Sequence, residues 1–383
     1  MGIKKDDTGH YYHTPMYIEV FDTNFTRIAV CDNYESLIWT DRYNEPGDFE
    51  LYFGMKKELL EIYKPDYYLM SPDSEYTMII EDLKVTTDIE GGDHFVVTGR
   101  SLESILCRRI VWNQTTIKGN FVNAIDKILS QNVYNPKLER RKIPEFQWNK
   151  DSTSADIKAL KIDETQFTGD VVYDALKDLC DQFDVGFSLK RDSSTGKFVF
   201  NLYYGVDRSY KQSTNQYVVF SPSFDNIVSS DYTENKSKYC NVTLVAGEGE
   251  GNERKTLEVG DTTSNGLNRR ELFTDARDIS SKVQNEDEEE PTTLSDKEYN
   301  KLLKNRGEEK LKEVEIEKAF EGQVDATQLY RYGEHFAMGD YCELIDKYDR
   351  ETRVKVIEYI HSESTSGIEE YPTFKVVEEE EES

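Results

Sequence analysis

Few residues in this chain of 383 sit where chemistry would need them. The five histidines are His10, His13, His94, His335 and His361, and only the first two are neighbours. The segment His10-Tyr11-Tyr12-His13 offers two imidazoles, but a zinc site needs a third and a fourth ligand, and none follows at a ligating interval. No metal site is expected. Carboxylates are so abundant that no pair stands out as general acid and base, and they read as a solvated acidic surface. Gly247-Glu248-Gly249-Glu250-Gly251 follows a strand pattern, as a phosphate-cradling loop would. No helix pattern follows it and its two glutamates repel phosphate, so it reads as a loop tip. Ser194-Thr195-Gly196-Lys197 resembles the end of a phosphate loop, yet Arg191 occupies the place of the earlier glycine, so a hairpin turn is expected.

The cysteines, Cys31, Cys107, Cys180, Cys240 and Cys342, are odd in number and far apart, with no CxxC pair. This spacing suits a reduced compartment, with Cys31 and Cys240 as core residues inside strands. Neither a GxSxG elbow nor an HExxH pair occurs. The expectation is therefore no catalytic residue, no cofactor and no enzyme activity.

Charge narrows the classes further. Lys and Arg total 47 against 75 Asp and Glu, a net charge of −28. Such an excess opposes binding to phosphate backbones and to anionic membranes. No run of 18 apolar residues exists to cross a bilayer, and no apolar core follows the N-terminal lysines as in a secretory signal. Tyrosine is over-used, with 25 copies. Its amphipathic ring suits strands and also interfaces that are partly apolar and partly wet.

The elements that would position these residues are mostly strands. Residues 1–15 read as a flexible polar arm. Strands are expected over 17–21 and 26–31. A hairpin with an aromatic face follows, in which Leu37, Trp39 and Tyr43 share one side and Phe49, Leu51 and Phe53 the other strand's equivalent. Pro46-Gly47 suits the centre of a type II turn, with Gly47 supplying φ > 0. Strands over 77–87 and 94–98 stop at Gly99-Arg100, and Ser101 caps a short helix carrying Leu102, Ile105 and Leu106. Helical spacing appears at Phe121, Ile125, Ile128 and Leu129, and again at Val171, Val172, Ala175, Leu176 and Leu179. Strands are expected over 185–189, 198–203, 227–232, 239–246 and 255–259. An acidic loop spans 281–291, a helix broken or kinked at Gly307 spans 294–319, and strands at 340–345, 352–360 and 371–377 precede an acidic tail, 378–383.

Three stretches carry a resemblance. Leu37-Ile38-Trp39-Thr40-Asp41-Arg42-Tyr43-Asn44-Glu45-Pro46-Gly47-Asp48-Phe49 resembles the opening hairpin of siphophage tail-tip hub proteins, with its Trp-x-x-Arg-x-x-x-x-Gly-x-Phe pattern. Val96-Val97-Thr98-Gly99-Arg100-Ser101-Leu102 is similar to that family's next landmark. Gly339-Asp340-Tyr341-Cys342-Glu343-Leu344, followed by the strand from Arg353, looks like its closing element. The family-motif positions are thus Trp39, Arg42, Pro46, Gly47, Phe49, Gly99, Arg100, Gly339 and Asp340, each with a role in the fold.

The resemblance implies a mainly β chain with α+β parts. It implies two β-barrel-like hub domains, 16–107 and 223–377, an inserted α+β domain at 108–222, and a helical segment before the last strands. It also implies a homotrimer forming a pseudo-sixfold ring in the tail tip of a virion. The ring would join the tail-tube protein to tip or receptor-binding proteins and let DNA or tape-measure protein pass. The acidic excess fits a lumen to which nucleic acid does not adhere. Family lytic activity is not carried over, because the chain stops after the last expected barrel strands. Two other classes stay open: a receptor- or carbohydrate-binding tail module, which would bind host walls saturably, and a cell-wall hydrolase, which would turn glycan over.

Overall fold

The computed structural model describes residues 3–5, 11–31, 33–88, 92–224, 226–283, 291–324 and 329–377. His10, residues 284–290 of the acidic loop and the tail 378–383 lie outside the described residues. The chain is mainly β, in several sheets of which none is closed among the described residues, and it divides into two compact units. The first comprises 1–104, 186–232 and 319–383; the second comprises 105–185 and 233–318. Within the expected flexible arm, Ile3–Lys5 and Tyr11–His13 pair as antiparallel strands.

In the first unit, thirteen described strands share one hydrogen-bonded sheet. Its centre is the expected hairpin: Ser36–Arg42 pairs with Asp48–Gly54, Trp39 opposite Phe49 and Leu37 opposite Leu51. Asp48–Gly54 continues to Gly92–Ser101 and thence to Thr77–Asp88. The other edge of Ser36–Arg42 pairs with Glu351–Ser364, which places Trp39 opposite His361 and Arg42 opposite Glu358. Two apolar cores hang on this sheet. One gathers Ile18, Val20, Leu37, Trp39, Phe49, Leu51, Phe53, Phe95 and Val97; the other gathers Val218, Phe220, Phe336, Cys342, Leu344, Val354, Val356 and Phe374. Period two sends Leu37 and Trp39 into the first core, whereas Tyr43, beyond the strand end, packs on the second.

The second unit packs helices against small sheets. Thr115–Asn120 pairs with Lys161–Phe167. Helix Phe121–Leu129 follows, and the Asn120 side chain accepts from the Asn123 amide at its start. Helix Asp296–Lys312 lies on the sheet in which Val242–Ala246 pairs with Thr256–Gly260 and Glu271–Asp275, burying Tyr299, Leu302 and Leu303 against Val245 and Val259. A capping box starts this helix. Ser295 Oγ accepts from the Glu298 amide and the Glu298 carboxylate accepts from the Ser295 amide.

Four local expectations are corrected. The helix is unbroken at Gly307, where a Cβ would lie 2.7 Å from Val245 Cγ2; the residue is small to let helix and sheet approach, and the chain is already a strand from Glu317. Gly47 does not have positive φ; Asn44 does, at +50°, and Gly47 is required because a Cβ would sit 2.3 Å from the Thr40 carbonyl oxygen. The strand does not stop at Gly99-Arg100 but runs to Ser101, and the short helix expected after it is a 3-10 helix, Leu102–Arg108. Cys31 is buried, but Cys240 is only half-buried and precedes its strand, so it is not a core residue.

Candidate functional site

The landmark residues converge on the central hairpin. Trp39 is buried, tilted against Phe49 at 6.2 Å, and its Nε1 donates to Ser74 Oγ at 3.2 Å. Arg42 donates through Nε to Glu358 Oε1 at 2.6 Å, pairs with Asp48 at 3.0 Å, and reaches the Pro46 carbonyl. It therefore clamps its own turn to the strand Glu351–Ser364. The Gly47 amide donates to Ser101 Oγ at 2.8 Å. Ser101 Oγ donates in turn to the buried Glu103 carboxylate, which also accepts the Leu189 amide at 2.8 Å. Ser101 and Glu103 thus tie three chain segments together rather than cap a helix. Phe49 lies opposite Gly99, where a Cβ would fall 1.8 Å from the Ile79 carbonyl oxygen, and Arg100 makes a two-bond pair with Glu81 at 2.6 and 2.9 Å.

Gly339 and Asp340 lie just before Tyr341–Ile345, where a Cβ on Gly339 would fall 2.7 Å from Tyr43 Cε2 at the end of the hairpin strand. The buried Asp340 carboxylate accepts the Val206 amide at 2.7 Å, the Ala337 amide at 3.0 Å and Arg208 Nε at 2.8 Å. It satisfies loop donors that would otherwise be buried unpaired, which is a folding role.

Two features carry no short motif in the sequence. One is a buried polar network on the strand Glu351–Ser364. His361 Nδ1 lies 2.6 Å from Glu370 Oε1, and its Nε2 lies 2.6 Å from Glu363 Oε1. Tyr34 donates to Glu363 at 2.5 Å, Tyr359 donates to Glu370 at 3.0 Å, and the Met16 amide also reaches Glu363. Burial works against the His361 cation, but the two carboxylates outweigh it and raise its pKa to about 9. Burial likewise works against the Glu363 carboxylate, yet donors from His361, Tyr34 and Met16 hold its pKa below the usual range. The strand expected over 352–360 ends before His361 and Glu363, whereas the observed strand carries both, and their partner Glu370 comes from the neighbouring strand.

The other feature is a cleft of about 890 Å³ in the first unit. Asp41, Tyr76, Tyr203, Tyr332, Lys190 and Glu75 are among its lining residues. Asp41 comes from the motif strand, Ser188 and Lys190 from Gly186–Arg191, and Tyr203 from Phe198–Tyr203. Burial pushes the Asp41 carboxyl up to about 8. The turn between those last two strands is the hairpin expected at Ser194-Thr195-Gly196-Lys197, with Asp192 accepting from Ser194 and Thr195 and Gly196 at φ +70°. Among the described residues, no group of three or more His, Cys, Asp or Glu could hold a metal ion.

Comparison with known proteins places this architecture. No curated protein matches the sequence. The fold is similar to a tail protein from Neisseria meningitidis MC58, with TM-score 0.53 and 14% identity over 94% of this chain and 97% of that one. It is equally similar to the 43 kDa tail protein of prophage MuSo2 from Shewanella oneidensis, with TM-score 0.53 and 12% identity over the same shares. The family model described as Siphovirus ReqiPepy6 Gp37-like protein matches residues 17–370, which takes in every landmark from Trp39 to Asp340. The chain belongs to that family.

Proposed function

We propose that the chain is a non-enzymatic structural hub of the tail tip. The observation that carries this reading is the joining of two apolar cores on one sheet, through the pairing of Ser36–Arg42 with Glu351–Ser364, in a siphovirus family member. In this reading the strands around each core are the two barrel-like halves, and three chains contribute six halves to a ring. The halves are alike in architecture and differ in sequence, so one face meets a sixfold tube and the other a threefold tip. Tail-tube, tape-measure and tip proteins are the partners, and the acidic surface lets DNA pass without adsorbing.

Mass measurement by light scattering, with and without the neighbouring tail proteins, is expected to give a trimer in at least one condition. Antibody-labelled electron microscopy of particles is expected to place the label at the distal tip. Label along fibres, with saturable wall binding by the pure chain, would instead favour a receptor-binding module.

A further inference from the structure

We infer that the Asp41 cleft is a receptor for the primary ammonium of a lysine side chain presented by another protein chain. The first observation is Asp41 itself. It is 5% exposed, lines the cleft, and its Oδ1 is buried without a hydrogen-bond partner. A buried carboxyl oxygen left unpaired costs free energy that a matching donor would offset.

The second observation is how the other charges of the cleft are disposed. Lys190 is bonded to Glu75, Arg331 to Glu334 at 2.6 Å, and Asp340 to Arg208 at 2.8 Å. Each of these cations is already matched to a carboxylate, Asp73 adds a further acid to the lining, and Asp41 carries a buried oxygen without a partner. Complementarity therefore asks for one positive group.

The third observation is the set of rings beside it. Tyr76, Tyr203 and Tyr332 line the same cleft. Tyr332 stacks on Tyr359 with centroids 4.0 Å apart and planes 7° apart, and Tyr203 meets Tyr43 edge-on at 5.9 Å. Fixed tyrosine faces attract a cation and also cover the alkyl stem that carries it.

Size and shape choose among cations. An ammonium on a slim stem is a compact point charge that meets a single carboxyl oxygen, whereas a planar guanidinium is best met by two oxygens side by side. A divalent metal wants several oxygen ligands, and the described residues gather no such group. A cavity of 890 Å³ is far larger than one butylamine, so the stem arrives attached to a peptide. An anion gains nothing because both lining cations are already paired, whereas an ammonium draws the Asp41 carboxyl, which burial keeps protonated up to about pH 8, into its ionised form.

The test uses the full chain, titrated calorimetrically with Nα-acetyl-lysine amide and with its neutral isostere Nα-acetyl-norleucine amide. The lysine derivative is expected to saturate at millimolar concentration and to bind about tenfold or more tighter than the norleucine derivative. D41N is expected to lose that discrimination. E75Q, at the rim, frees Lys190 and is expected to weaken lysine binding several-fold; it keeps the test alive if D41N fails to fold. Equal binding of the two derivatives, unchanged binding by folded D41N, or tighter binding by E75Q would overturn the inference. So would no saturation by the lysine derivative up to about 50 mM, or binding of a neutral oligosaccharide in its place.

Discussion

Each compact unit buries a cluster of ionisable side chains, and the two clusters settle their charge in different ways. In the first unit, His361 stands between Glu363 and Glu370, and tyrosines and a backbone amide complete the carboxylates. In the second, Asp178 on helix Val172–Gln182 and Glu309 on helix Asp296–Lys312 are both acids. Among the described residues Glu309 pairs with Arg306, at 3.5 Å, and its Oε1 has no hydrogen-bond partner. Burial raises both carboxyls above the ordinary range; the Asp178 charge adds to the rise at Glu309, and the Lys310 cation works against both. Burial is common to both clusters. What differs is the supply of complementary groups: cross-strand register brings opposite charge to His361, while helix packing brings like charge to Glu309.

That contrast can be broken at several points. The largest effect is expected from H361Q, which leaves two buried carboxylates without their cation. It should cost about 3–5 kcal/mol in urea unfolding, and a loss below 1 kcal/mol would remove the network's role in stability.

Next comes the pH profile of the first unit. The folded pKa of His361 is raised, so its contribution is complete below its ordinary value of 6.5 and is lost as pH rises through about 9. The span corresponds to about 3 kcal/mol. Glu363 has the opposite sign. Its depressed pKa gives stability that is present above the ordinary carboxylate range and lost as pH falls through the lower folded value. Protection from amide hydrogen exchange along Glu351–Ser364, taken relative to the intrinsic rate at each pH, should therefore rise to a broad maximum between the two limbs. A profile that is flat from pH 6.5 to 9 would contradict the assignment of the imidazolium.

The second unit should respond with one limb. Asp178 and Glu309 have raised folded pKa values, so their contribution is intact below the ordinary carboxylate range and is lost as pH rises through the higher folded values. E309Q should leave stability unchanged at pH 4 and improve it by about 1 kcal/mol at pH 8. Destabilisation at pH 8 would mean that the Arg306 contact outweighs burial. The smallest effect, about 1 kcal/mol, is expected from S295A, which removes the cap of helix Asp296–Lys312 and should cost slightly less at pH 4 than at pH 8, because Ser295 also holds the Glu298 carboxylate below the usual range.

Much of the architecture was legible because it rests on local rules. Alternation marked Leu37, Trp39, Phe49, Leu51 and Phe53, and all five are buried. The spacing of Phe121, Ile125, Ile128 and Leu129 marked a helix that forms with those residues inside. Glycine was harder. A sequence tells that a Cβ is missing, not whether the reason is backbone angle or a neighbour's approach. Gly47 and Gly307 were both assigned to the backbone, and both instead make room for a distant segment. Landmark positions such as Trp39 and Asp340 were visible as types; their partners Ser74, Val206 and Arg208 were not.

By itself the sequence determined the strand-rich class, the acidic surface, the central hairpin and the family likeness, because side-chain periodicity, net charge and short motifs are properties of the chain in order. Tertiary structure alone decided that Ser36–Arg42 lies beside Glu351–Ser364, that His361 meets Glu370, that Glu309 meets another acid, and that Asp41 opens on a tyrosine-lined cleft. These contacts join residues up to hundreds of positions apart. They depend on which strand edges and helix faces pair when the cores are buried, and no local pattern encodes that choice.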